Sequence, residues 1–164
     1  MKEQKITAES LTERFGMTAH VENGAFALRH YASSEEGRPA SGAILFYAPP
    51  HQHTKFHMLD CDEYWSYVEG APLELWQFDE EGKLTVAYLG VEEGCEPILF
   101  FRRGTTFGSR PLPGREEGTF LNCITVPRYT DEGFTLYEDE EMLRRFPETK
   151  EFFKNAEFGM RNAE

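Results

Sequence analysis

HMLDCDEYWSYVEG, residues 57–70, is the stretch whose reading decides the fold. His57 and Glu63 are an even number of positions apart, and Trp65 and Tyr67 continue the same parity. Side chains on a strand alternate between its faces, so these four would share one interior surface of a sheet or barrel. Gly70 follows where the chain must turn, and a residue without Cβ tolerates a crowded turn. The segment therefore reads as a strand carrying an imidazole, a carboxyl group and two aromatic rings into a closed interior.

The same pattern extends in both directions. Ala25–Tyr31, Gly42–Ala48, Glu63–Val68, Leu73–Phe78, Leu84–Leu89, Ile98–Phe101 and Thr119–Val126 are short runs rich in Phe, Tyr, Val, Ile and Leu, and they predict strands. Thr106–Arg110 and Phe134–Tyr137 add shorter ones. Asp79-Glu80-Glu81-Gly82 predicts a hairpin turn, with Gly82 placed for positive φ. Many short strands separated by turn residues predict a sandwich or barrel.

The ends read as helix. Thr7 is a candidate N-cap, Leu11 and Phe15 fall on one face, and Gly16 supplies a stop. Asp139–Phe146 predicts a second helix stopped by Pro147, and Glu148–Ala156 a last, partly frayed segment. With no linker or repeat, residues 1–164 read as one domain: a helix over about 7–15, a barrel over about 24–137 and a helical segment over about 139–156.

Composition bounds the function. Of 164 residues, 40% are hydrophobic and 28% charged, ordinary globular values, and the 14% aromatic share suits a barrel interior. A net charge of -12 repels nucleic acid and anionic membranes, so neither is expected as a partner. No run approaches about 20 apolar residues, and Met1–Lys5 leads into a polar helix rather than an apolar leader. Cys61, Cys95 and Cys123 are odd in number with no Cys-x-x-Cys pair, which predicts free thiols in a reducing cytoplasm.

On the residues quoted, the chain resembles the cupin superfamily. That family's first motif runs Gly, five residues, His-x-His, three or four residues, Glu, six residues, Gly. The likeness is more specific to the fifth cupin subfamily of small single-domain proteins. It runs in order through His20–Gly24, Phe56–Asp60, Asp62–Trp65, Gly70–Leu75, Cys123–Pro127 and Leu143–Glu148. The resemblance implies an all-β single cupin, a double-stranded β-helix or jelly-roll barrel, with short N-terminal and C-terminal helices. It also implies a small-molecule ligand and a homodimer.

The departures direct the chemistry. Leu59 stands at the second His, His51 at the opening Gly, and Phe107 where the second motif would place a third His. Two remaining donors, His57 and Glu63, are too few for a first-row metal, so no cofactor is expected. The alternative is a divalent metal held by His51, His53, His57 and Glu63, which share parity if the strand is continuous; Pro49-Pro50 argues for a bend.

Without a metal, His57 and Glu63 read as a catalytic acid–base pair with His57 as general base, as in metal-free sugar epimerases of the superfamily. Trp65, Tyr67, Arg103 and Phe107 are the candidate ligand-binding residues, Arg103 for an anionic group. Tyr47, Tyr64 and Tyr67 are candidates for a second proton donor. The expected ligand is sugar-like or an organic acid, and the activity isomerase- or epimerase-like. The competing reading is a non-catalytic binding or sensing protein, with Trp65 and Tyr67 plain core, His57 a satisfied interior imidazole and the arginines paired with surface acids such as Glu116 and Glu117.

Overall fold

Thr7 and Ser10 close a reciprocal capping box at 3.1 and 3.0 Å, starting helix α1 (Ala8–Phe15), and Gly16 ends it at φ 66°. In this computed structural model residues 5–32 and 37–160 are described, with side chains through Lys154; most of the Met1–Lys5 approach to the first helix lies outside them. Leu11 of α1 packs with Ile6, Met17, Ala27, Tyr47 and Phe120 against the outside of a sheet.

Among the described residues eleven strands follow: β1 (Thr18–Ala19), β2 (Ala25–Tyr31), β3 (Gly42–Ala48), β4 (His57–Leu59), β5 (Asp62–Gly70), β6 (Leu73–Phe78), β7 (Leu84–Leu89), β8 (Ile98–Phe101), β9 (Thr106–Pro111), β10 (Thr119–Val126) and β11 (Phe134–Leu136). They form a six-stranded sheet, β1-β2-β3-β10-β5-β8, and a five-stranded sheet, β11-β4-β9-β6-β7. Neighbouring strands pair antiparallel throughout. The inner faces of both sheets share one core: Phe46, Trp65, Leu121 and Cys123 from the first, Leu75 and Phe107 from the second. This is the all-β jelly-roll barrel that the strand pattern and the resemblance predicted.

The alternation read from the sequence holds along β5, where Glu63 and Trp65 are buried while Tyr64 and Val68 face out. Gly70 has φ 102°, and a Cβ there would come 2.1 Å from the Gly118 carbonyl oxygen. Asp79 builds the β6–β7 turn by accepting the Glu81 and Lys83 N–H groups at 3.0 and 2.8 Å, with Gly82 at φ 80°. Two strands were not anticipated: β1, of two residues, and β4, whose three residues pair with β9 and β11.

After β11 the chain forms α2 (Asp139–Arg145) and α3 (Thr149–Met160), the latter longer than the frayed segment expected. Phe152 of α3 packs with Phe56, Phe78, Tyr137 and Met142 over the outer face of the five-stranded sheet. A buried ion pair fastens this layer. Arg110 of β9 donates to Glu74 of β6 at 2.8 Å and to the Phe152 carbonyl, and Trp76 Nε1 donates to the same Glu74 oxygen at 2.6 Å. No helix among the described residues is long and apolar enough to cross a membrane.

Residues 49–56 do not continue a strand. His51 adopts φ 62°, a left-handed conformation that suits the glycine this motif usually carries there, and the turn breaks the parity count. His51 faces Glu116 at 3.7 Å. His53 Nε2–H donates to the Asp139 carboxylate at 3.0 Å, at the start of α2, with its ring against Phe152 and Phe153. The metal set His51, His53, His57 and Glu63 is therefore not assembled.

Candidate functional site

Glu63, at the start of β5, turns its carboxyl group into the barrel, where only 6% of the residue stays exposed. Its Oε2 is buried and completes no hydrogen bond of normal geometry; the nearby Trp65 Nε1 is in the same position. Burial pushes the carboxyl up to about 7, with Trp65 and the Cys123 thiol close enough to moderate the rise.

His57, at the start of β4, is 2% exposed. Its Nδ1 lies 3.2 Å from Glu22 Oε2 and 3.3 Å from the Lys55 carbonyl oxygen. With Nδ1–H directed at those acceptors, the neutral ring keeps its lone pair on Nε2. Burial drives the imidazole down to about 3.

Glu22 enters from the loop between β1 and β2. Lys55 N–H donates to the Glu22 carbonyl at 2.7 Å, and Asn23 Nδ2 donates to the His53 carbonyl at 2.9 Å. Asn23 and Gly24 both have positive φ, 77° and 82°, and a Cβ on Gly24 would meet the Tyr47 carbonyl oxygen at 2.5 Å. This tight turn aims Glu22 inward, where burial and then the Glu63 charge raise its carboxyl well above the ordinary range. His20 Nδ1 accepts the Glu22 backbone N–H at 3.2 Å and lies 3.8 Å from Glu22 Oε1. Burial lowers that imidazole to about 4.

The barrel interior thus gathers two protonatable carboxyl groups and two neutral imidazoles, walled by aromatic rings. Phe107 lies 4.3 Å and Phe134 5.6 Å from the His57 ring, and Phe26 4.9 Å from His20. Such a set can exchange protons with a neutral or anionic ligand.

The predicted residues separate. His57 and Glu63 share this interior, but from different strands in different sheets, β4 and β5, with the chain bending at Asp60 and Cys61, so a parity count along one strand does not account for their meeting. Trp65 and Phe107 are core: Phe107 stacks on Phe101 at 4.0 Å, and Trp65 meets both rings edge-on at 5.6 and 5.5 Å. Tyr67 sits further along β5 and donates to the Gly70 carbonyl at 2.7 Å. Arg103 lies outside the barrel, with a 61% exposed side chain whose Nε is 3.6 Å from Asp62. It therefore does not line the interior that His57 and Glu63 share. Tyr64 faces outward and Tyr47 packs beneath α1, so neither reaches Glu63.

Among the described residues no three His, Cys, Asp or Glu side chains are arranged to hold a metal ion. The donors do not fit a divalent metal: no third donor joins His57 and Glu63 among the described residues, and Phe107, which cannot ligate, occupies the position opposite His57 in the β4–β9 register. Sequence reasoning missed His20, Glu22 and Cys123 as members of the site. The turn signal Asn23-Gly24 inside the His20–Gly24 segment was the available clue. A separate cleft of about 430 Å³, lined by Met58, Glu80, Gly104 and Arg145 among others, opens near the end of α2, beside the Gly82 turn.

A family model described as Cupin superfamily (DUF985) matches residues 9–137. A crystal structure of a protein from Shewanella oneidensis superposes with a TM-score of 0.83 at 24% identity, covering 92% of this chain and 97% of that one. A hypothetical protein from Leishmania major gives 0.76 at 23% identity, over 87% and 94% of the two chains. An uncharacterised Klebsiella pneumoniae protein with a double-stranded β-helix domain gives 0.53 at 14%, over 84% and 100%. No curated protein matches the sequence.

Proposed function

The chain belongs to the Cupin_5 family of the cupin superfamily (DUF985), and from that membership we propose that it binds a small organic molecule at the Glu63 mouth of its barrel and moves a proton on it. The observation that carries this reading is the buried Oε2 of Glu63, which completes no hydrogen bond of normal geometry although Trp65 Nε1 and the Cys123 thiol lie near it. A buried polar atom without a partner is uncommon in folded proteins and marks a place where a ligand group fits.

The roles differ from those the motif alone implied. A general base works best when its pKa is near the working pH. Glu63, at about 7, meets that condition; His57, at about 3, does not. Glu63 therefore acts as base on a C–H or O–H of a sugar-like or organic-acid ligand. Glu22, held protonated by burial and by the Glu63 charge, is the acid across from it. Environments that push two carboxyl groups into different protonation states are a recurrent acid/base arrangement. His57 orients Glu22 through the 3.2 Å contact and is a positioning residue.

Proton transfer at carbon is read directly by incubating the protein with aldoses, ketoses and 2-oxo acids in D2O and following deuterium incorporation by NMR. Wild type should catalyse exchange on one class, and Glu63→Gln should slow it by roughly 100-fold or more. Exchange undiminished in Glu63→Gln would remove Glu63 as base.

The aromatic packing of Trp65, Phe101 and Phe107 favours a second reading, in which the site binds without chemistry. Saturable thermal stabilisation by a ligand that never exchanges would select it. The remaining proposals are a homodimer and a reducing compartment such as the cytoplasm, the latter supported by the free thiols of Cys61, Cys95 and Cys123.

A further inference from the structure

Tyr31 of β2, Gly42 of β3, Thr125 of β10 and Glu63 of β5 stand in one register row across the six-stranded sheet. Side chains two positions along from three of them, Ile44, Cys123 and Trp65, pack in the core, so the row lies on the inner face. Gly42 leaves a gap in that row. A Cβ there would come 3.2 Å from Arg128 Cγ and 3.3 Å from the Tyr31 ring. The Arg128 side chain fills the gap, its guanidinium carbon 3.3 Å from the Tyr31 ring centroid.

Arg128 differs from three arginines of its region. Arg103, Arg110 and Arg115 each face a carboxylate, Asp62, Glu74 and Glu92 respectively. Its neighbour Arg38 holds both Asp60 oxygens, at 2.8 and 3.1 Å, and donates to the Arg128 carbonyl. Arg128 Nε is buried and has no hydrogen-bond partner among the described residues. A guanidinium fixed on an aromatic face, with an unused buried N–H, is matched by the planar oxygens of a carboxylate or by a phosphate.

We propose that Arg128, set in the gap left by Gly42, binds the anionic group of the ligand whose reactive carbon lies at Glu63. The inference rests on the ligand lying at the Glu63 mouth, and it assigns the ligand class: a short organic anion. Two strand spacings, about 10 Å, separate Gly42 from Glu63 along the row. A contact at each end leaves room for a chain of roughly three to five atoms between the oxyanion and the reacting centre.

Three matched probes, glycerol, glycerate and glycerol 3-phosphate, test this by thermal shift and calorimetric titration at constant ionic strength. Wild type should bind at least one of the two anions saturably at about 10 mM or below and show no such response to glycerol. Preference between glycerate and glycerol 3-phosphate identifies the group as carboxylate or phosphate. Arg128→Ala should weaken anion binding at least tenfold, with Arg128→Lys intermediate. Gly42→Val, which fills the gap without touching the charge, should reproduce the loss.

The anion that wild type binds is then assayed for deuterium exchange under the same conditions. Binding that survives while deuterium exchange is absent would leave this inference standing and remove the acid–base reading. No discrimination between the anions and glycerol, or unchanged binding in folded Arg128→Ala and Gly42→Val, would overturn the inference. If Arg128→Ala does not fold, the Lys and Val variants decide.

Discussion

Between pH 4.5, the ordinary value for its carboxyl, and about 7, Glu63 is ionised in the unfolded chain but keeps its proton in the fold. The folded state then binds more protons, so stability falls as pH rises through that window. The gap corresponds to roughly 3 kcal/mol. His20 and His57 act in the opposite sense. Below their ordinary 6.5 the unfolded chain takes up protons that the buried rings, at about 4 and about 3, refuse, so stability falls as pH drops. Between about 4.5 and 6.5 the two imidazoles are opposed by Glu63 together with Glu22, whose carboxyl is also raised by burial, so the slopes offset and leave a plateau with a loss on either side. Glu63→Gln should flatten the alkaline limb and make the protein more stable than wild type at pH 8, with little difference near pH 4.5. Urea unfolding across pH checks this, and parallel curves for the two proteins would show that Glu63 is not the source.

Elements depend on a few contacts that bridge them. Removing Arg110 leaves the Glu74 carboxylate buried beneath α3 without its cation, so Arg110→Ala should cost about 3–5 kcal/mol in denaturant unfolding. Replacing the pair together by Met and Leu should cost far less, because no charge is then stranded. Gly70→Ala places a Cβ 2.1 Å from the Gly118 oxygen at a left-handed φ, so it should lower the melting temperature by several degrees or prevent folding. Most strands were readable because each is a short apolar run closed by Gly, Pro or acidic residues; β2, β3, β6, β7, β8 and β10 begin and end where that pattern does. β4 was not, since three residues carry no period of their own and owe their extension to pairing with β9 and β11. The site was half readable for a related reason. His57 and Glu63 lie within one short segment, whereas Glu22 reaches them from a loop through the Lys55–Glu22 backbone bond, which no local spacing encodes. Parity failed at His51 because one residue with positive φ reverses the alternation it presumes.

At the scale of the whole molecule, the outer face of the six-stranded sheet carries an uncharged strip on an otherwise acidic protein of net charge -12. Phe100, Tyr64 and Ile124 are register neighbours in one row, Ile98 lies on the next, and all four are exposed. Two acidic chains repel except where such strips meet, so the homodimer proposed above would form through this face, with a two-fold axis relating the copies. Light scattering should find a dimer for wild type and a monomer for Phe100→Lys; a monomeric wild type would dismiss the homodimer. The two tryptophans of the chain divide the fold between them. Trp65 is enclosed in the barrel beside Glu63, while Trp76 lies half-buried under the α3 layer, 5.6 Å from Phe152. Their emission can therefore be separated by single Phe replacements. The Trp76→Phe protein reports ionisation of the barrel mouth as a fluorescence change near neutral pH, and the Trp65→Phe protein reports lifting of the C-terminal helices. Followed in one denaturant series, the pair tells whether the helical layer leaves before the barrel opens.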